Sequence, residues 1–341
     1  MPAIVLSNHI LDEIHKSVKI SSRKTTKSIA RTPSDLTGND IESGPTAPLD
    51  DEDYGPDLPD DDEGRFFGGG VTQKETEILN YVDENTVNYQ QNELFDSSWL
   101  RKLALKFEKK ISMNAELRIK YENDPQKFMI SEEELDVEIK AIGILSQHPT
   151  LYAEFVKLGC VSSLVSLLAH ENTDIAISAI QIIGELIDED AEAVQEDWNE
   201  IVDAMLKADL LELLVSNLMR FDEENDSDKH GVYYSLSVLE SMASQATLAE
   251  KIGRETAVFK WILERIKRPE KTASQNKQYA AEVLVILLQT SSLNRKKICE
   301  IDGVNLLLEL LATYRKRDPA KGTEEEEFME NLFDALVCVV D

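Results

Sequence analysis

Beyond about residue 72, apolar residues recur at i, i+3, i+4 and i+7, the spacing of one helix face. Trp99, Leu103 and Phe107 mark one such face, and Leu135, Ile139 and Ile142 mark another. Ser131 and Glu134 have the spacing of a capping box ahead of Leu135. Asp124-Pro125 reads as an N-cap followed by proline at the first helical position. The marks of strands, alternating Val/Thr/Tyr runs and Asn-Gly hairpin turns, are nearly absent.

From residue 161 the pattern repeats. One ladder occurs four times: Val161, Leu164, Val165, Leu168; Leu211, Leu214, Val215, Leu218; Phe259, Ile262, Leu263, Ile266; and Val304, Leu307, Leu308, Leu311. The starts lie 50, 48 and 45 residues apart. After each comes a polar connection and a second ladder. These are Ile175, Ala179, Ile182, Leu186; Val232, Leu236, Leu239, Ala243; Tyr279, Val283, Ile286, Leu287; and Phe328, Leu332, Leu336, Val339. One helix pair cannot bury its apolar face alone, so stacked pairs share a continuous core. A period in the forties with two or three helices predicts an all-α, armadillo/HEAT-type right-handed α-solenoid over 151–341.

Residues 1 to about 70 break the pattern. They are polar and rich in Ser, Thr, Pro and Gly, and are expected to form a disordered arm. Lys16, Lys19, Arg23, Lys24, Lys27 and Arg31 form a loose basic cluster there, of the kind that serves as a nuclear-import peptide. Thr32-Pro33 has the form of a proline-directed phosphorylation site. No apolar run reaches the roughly 18–20 residues of a membrane span. The first residues also lack the basic start and continuous apolar stretch of a secretory signal.

Charge adds a preference about partners. The formal net charge is −29. Nine of the 65 acids lie in residues 50–63, which leaves 56 against 36 bases elsewhere. Binding to a nucleic-acid backbone needs concentrated Lys/Arg and is disfavoured, whereas basic peptides are the natural electrostatic partners. Cys160, Cys299 and Cys338 lie far apart in apolar helical contexts and read as core side chains in a reducing compartment.

Candidate chemistry narrows to one place. His170-Glu171 followed by Asp174 comes close to H-E-x-x-H, which binds zinc on a continuous helix. The second histidine is missing, and the segment falls between two ladders, where Asn172, Thr173 and Asp174 favour a cap and a turn. A corner is expected; a metal-dependent hydrolase centred on His170 is the remote alternative. Phosphate-binding glycine loops and a G-x-S-x-G elbow are absent from the sequence. The reading is therefore of a non-enzymatic protein with no cofactor and no metal.

A solenoid offers a long groove instead. On the second ladders Glu185, Glu240, Glu282, Glu330 and Asn331 are polar positions, and carboxylates repeated along a groove suit an extended Lys/Arg-rich peptide. Tyr233, Tyr234 and Trp261 are candidate anchors. Arg315, Lys316 and Arg317 sit at a helix end, where the helix dipole accounts for them.

The segments "FEKKISMNAELRIKYENDPQKFM", "LLAHENTDIAI", "YAAEVLVILLQ" and "EEEFMENLFDALVCVV" resemble the beta-catenin-like protein 1 family, in order from about Ser97 to the chain end. The resemblance implies an armadillo-type solenoid preceded by an atypical helical cap, at about 72–150. It also implies a nuclear, spliceosome-associated scaffold of pre-mRNA splicing. Such a scaffold is linked to the Prp-nineteen/Myb-domain splicing-factor assembly and recognises basic, nuclear-localisation-type segments of splicing factors. A nuclear-import or signalling armadillo adaptor is the alternative. The family's repeat array is longer, so a carboxy-terminal truncation at Asp341 is expected. If residue 341 is a natural end, Phe328, Leu332 and Leu336 need another cover, such as a second copy of the chain.

Overall fold

A computed structural model describes residues 95–188 and 193–340. The arm expected over 1–70, with its basic cluster and Thr32-Pro33, lies outside the described residues. Within them every regular element is an α-helix or a 3-10 turn. Two helices lead the described residues, α1 (Ser97–Lys120) and α2 (Met129–Ile142). Asp96 caps α1, its carboxylate accepting from the backbone N–H groups of Ser98 and Trp99 at 2.9 and 2.8 Å. Leu100, Leu103, Ala104 and Phe107 form its buried face.

The capping box is corrected by α2. That helix starts at Met129, so Ser131 lies inside its first turn. The Ser131 hydroxyl donates to the Phe128 carbonyl at 2.6 Å and accepts from Asn114 of α1 at 2.9 Å. Glu134 accepts from Lys110 at 2.9 Å. Partners on α1 draw both side chains away from the helix end. Pro125 opens a 3-10 turn (Pro125–Lys127), as its fixed φ favours, but Asp124 makes no side-chain cap and instead pairs with Lys127 at 3.2 Å.

Twelve helices follow in four groups of three. The first group is α3 (Tyr152–Lys157), α4 (Cys160–Ser166) and α5 (Thr173–Ile187). The second is α6 (Gln195–Lys207), α7 (Leu210–Arg220) and α8 (Asp226–Ala243). The third is α9 (Ala246–Glu255), α10 (Val258–Lys267) and α11 (Gln275–Thr290). The fourth is α12 (Ser292–Glu300), α13 (Gly303–Ala312) and α14 (Glu324–Val340). The third helices pack in succession, α2 on α5, α5 on α8, α8 on α11 and α11 on α14. This is the helical solenoid that the ladders predict. The α5–α8 crossing is close: a Cβ on Gly231 would lie 2.7 Å from Ile177 and 2.9 Å from Phe221.

A left-handed residue turns the chain into the second helix in three of the four groups: Gly159 (φ 80°), Asp209 (φ 62°) and Asp302 (φ 62°). The third group uses Thr256, whose hydroxyl donates to the Ile252 carbonyl at 2.7 Å and accepts from Val258 N–H at 3.2 Å.

The ladders are buried with few exceptions. Leu308 is 49 % exposed, and Val304, Ile286, Leu336 and Val339 are only partly covered. Phe328 and Leu332 are buried, because α11 and α13 already pack against α14. The cover expected for them from outside is supplied from within, and the apolar residues that α14 exposes are Phe333, Val337 and Val340. Cys160 is in the core, and burial pushes its thiol up to about 12. Cys338 is half-buried and Cys299 exposed, which corrects the core reading of Cys299: it lies on the outer face of α12.

Polar side chains join one group to the next by capping carbonyls at helix ends, which would otherwise lack partners. Trp198 donates to Ile187 O at 2.9 Å, Asn217 to Leu168 O at 2.9 Å and Trp261 to Leu218 O at 2.7 Å, while Asn294 reaches the Ala249 carbonyl inside α9 at 2.8 Å. Trp261, only 4 % exposed, is therefore a core residue and not a binding anchor. Arg265 is 3 % exposed. Its terminal nitrogens donate to Glu270, Glu223 and Ser274 at 2.7–3.0 Å, and its Nε lies 2.6 Å from Glu223 as an ion-pair contact without hydrogen-bond alignment.

Candidate functional site

The carboxylates singled out from the sequence sit on the third helices. On α5, Glu185 accepts from Gln181 one turn earlier at 3.0 Å. Its second oxygen lies over Gly143, where the absence of a side chain leaves it room. On α8, Glu240 accepts the hydroxyl of Tyr279 from α11. Glu282, also on α11, accepts from Gln278 at 2.9 Å. Glu330 is exposed on α14, and Asn331 beside it is half-buried.

Aromatic rings lie between these acids. Tyr233 and Tyr234 of α8 are half-buried, with centroids 6.0 Å apart and planes at 76°. Tyr279 is 8 % exposed, and its centroid lies 5.1 Å from that of Tyr233. Burial raises the phenol pKa of all three, and neighbouring carboxylates raise it further: Glu240 and Glu282 at Tyr233, Glu185 at Tyr234, and Glu240 at Tyr279. The same electrostatics connect α11 to α14. Glu327 titrates above the usual range, first through burial and then through Glu282, Glu324, Glu330 and Glu326. Glu185, Tyr234, Tyr233, Glu240, Tyr279, Glu282, Glu327 and Glu330 thus share one face across four helices.

The composition of that face is one-sided. Residues 173–187, 231–243, 278–290 and 324–340 hold ten acids and no Lys, Arg or His. Glu327 and the Tyr279–Glu240 bond were not singled out from the sequence. The available signal was this lack of bases in those stretches; Lys229, His230 and Lys277 fall near the starts of α8 and α11, outside them. Toward α2 the face continues into a cavity of about 530 Å³ walled by Glu133, Asp136, Asp174 and Ser227. Several of its acids already have partners: Asp136 is paired with Lys140 and accepts from Ser178, both at 2.6 Å, and Asp174 accepts from Ser227 at 2.6 Å.

His170 is a corner. Asn172 caps α5 by accepting from Asp174 N–H at 3.0 Å. The Nδ1 of His170 accepts from Asn172 N–H at 3.1 Å, which leaves Nε2–H to donate to Asn114 of α1 at 3.1 Å. Burial, then the nearby Arg118 charge, lowers the imidazole pKa. Arg118 itself bonds both Glu132 and Glu171. The histidine and its neighbouring acids therefore tie α1 to the α4–α5 corner. Among the described residues no group of three or more His, Cys, Asp or Glu is placed to hold a metal ion. At the other end, Arg317 lies beyond α13, pairs with Glu325 and stacks over Tyr314 at 5.7 Å. A specific partner, rather than the dipole of α13, holds it.

The Beta-catenin-like protein 1 homolog of Schizosaccharomyces pombe is 39 % identical over 282 residues, 82 % of this chain and 49 % of its own length. Human Beta-catenin-like protein 1 is 38 % identical over 242 residues, 71 % of this chain and 43 % of its own. The chain thus spans about half the length of these curated relatives. A computationally designed armadillo repeat protein for modular peptide recognition aligns with a TM-score of 0.45 at 18 % identity, covering 77 % of this chain and 98 % of its own. The family described as "Catenin-beta-like, Arm-motif containing nuclear" matches residues 76–341, and the chain, an armadillo-type solenoid, belongs to that nuclear family.

Proposed function

We propose that the face formed by α5, α8, α11 and α14 binds basic, nuclear-localisation-type peptide segments of splicing factors. The chain then acts as a scaffold in pre-mRNA splicing, linked to the Prp-nineteen/Myb-domain assembly. One observation carries the reading: residues 173–187, 231–243, 278–290 and 324–340 of the third helices hold ten acids and no base, interleaved with tyrosines. An extended cationic peptide would meet a carboxylate at each repeat, at Glu185, Glu240, Glu282 and Glu330, and would relieve the crowding of negative charge around Glu327.

The test is a titration of the full chain with a labelled Lys/Arg-rich localisation peptide and with a charge-matched scrambled peptide, at two salt concentrations. The authentic peptide is expected to bind more tightly and to keep that lead at moderate salt. Each of Glu185→Lys, Glu240→Lys and Glu282→Lys is expected to weaken it by about five- to tenfold, the effect of about 1–1.4 kcal/mol. Equal, weak binding of both peptides that vanishes with salt would overturn the reading.

A further inference from the structure

The described residues already contain six pairings of a cation with an aromatic ring, among them Arg118 over Phe128 at 4.8 Å, Lys127 over Tyr121 at 4.7 Å and Arg220 over Phe221 at 5.9 Å. None involves Tyr233, Tyr234 or Tyr279, although these rings lie near Glu185, Glu240 and Glu282. Tyr279 is locked by its bond to Glu240, and Tyr233 packs on it with a 43° tilt. Tyr234 stands edge-on to Tyr233. Lys140, whose charge reaches Tyr234, is held 2.6 Å from Asp136. Tyr233 and Tyr234 are thus fixed, half-buried and flanked by Glu185, Glu240 and Glu282, with no internal cation stacked on them among the described residues.

We infer that Tyr233 and Tyr234 form a cation–π seat that selects an arginine, in preference to a lysine, from the basic peptide bound on this face. The inference rests on the proposed function and specifies its chemistry. A guanidinium is planar and weakly hydrated, so it lies flat on a phenol ring while its N–H fork reaches a flanking carboxylate. An ammonium is compact and strongly hydrated, and although it can sit over a ring, as Lys127 does over Tyr121, it gives up more hydration to do so and gains less from it. Glu240 and Glu282 stand at Tyr233, and Glu185 at Tyr234, so each ring has an acid on hand for that fork.

The experiment compares two labelled peptides of equal length and charge, one with arginine and one with lysine at every basic position, at a single salt concentration. The full chain is expected to bind the arginine peptide about five- to tenfold more tightly, within the range of a partly desolvated cation–π contact. Tyr233→Leu and Tyr234→Leu should shrink that preference to within about twofold by weakening the arginine peptide more than the lysine peptide, because leucine has no π face. Tyr233→Phe should retain the preference, which separates loss of the ring from loss of folding. Equal affinity for both peptides, or a preference unchanged in the leucine variants, overturns this inference and leaves the proposed function standing. Failure of both peptides to bind overturns the two together.

Discussion

At the scale of single residues, His170 carries a prediction about pH. Its half-buried imidazole is held between Asn114 and Asn172, and burial, then the Arg118 charge, lowers its pKa from 6.5. The unfolded chain then takes up a proton that the folded one refuses. Stability from this group is present above about pH 6.5 and falls as pH drops from there through the folded pKa. Thermal melts between pH 7.5 and 5 should show this loss, and His170→Asn should flatten it within that window; an unchanged slope would contradict the role. The histidine was legible as a corner because Asn172 and Asp174 are cap formers. Its partner Asn114 was not legible, since it lies 56 positions away on α1. Ser131 fails for the same reason: local spacing suggested a box, and a neighbouring helix supplied better partners.

Among elements, the corners before each second helix differ in a way that stability measurements resolve. Gly159 adopts its left-handed conformation without strain, so Gly159→Ala should cost about 1 kcal/mol or more. Asp209 holds a similar conformation with a Cβ, and Asp209→Gly should be neutral or stabilising by a few tenths of a kcal/mol. Denaturant titration of both variants checks the pair, and the same sign for both would refute it. The second and third helices were readable because each repeats apolar residues on one face for several turns. Their companions α3, α6, α9 and α12 were not read as separate helices. Two of them are short, α12 buries only Asn294 and Ile298, and all four are held in part by side-chain bonds to distant carbonyls, which leave no period in the sequence.

For the whole molecule, the acidic face trades some stability for complementarity. Glu327 is raised above its ordinary pKa by burial and by Glu282, Glu324, Glu330 and Glu326. A carboxyl so placed contributes stability when protonated, below its unfolded pKa, and loses that contribution as pH rises through its folded value. Glu327→Gln should therefore raise the melting temperature at pH 7, and the gain should disappear below about pH 4.5, the ordinary value. Melts at the two pH values decide it; no gain at neutral pH would mean that solvent screens the cluster. Glu185, Glu240 and Glu282 were visible as recurring polar positions beside the second ladders. The cluster at Glu327 was not, because it draws on Glu282, 45 positions earlier and on a different helix.

The indole bonds across group junctions also give the molecule a built-in optical record. Trp198 rests on the carbonyl of Ile187, at the junction of the first and second groups, and Trp261 on that of Leu218, at the junction of the second and third. Opening a junction would break one N–H bond and admit water to one indole. Emission from single-tryptophan variants would then report where along the stack the helices part, and in what order, without any attached dye.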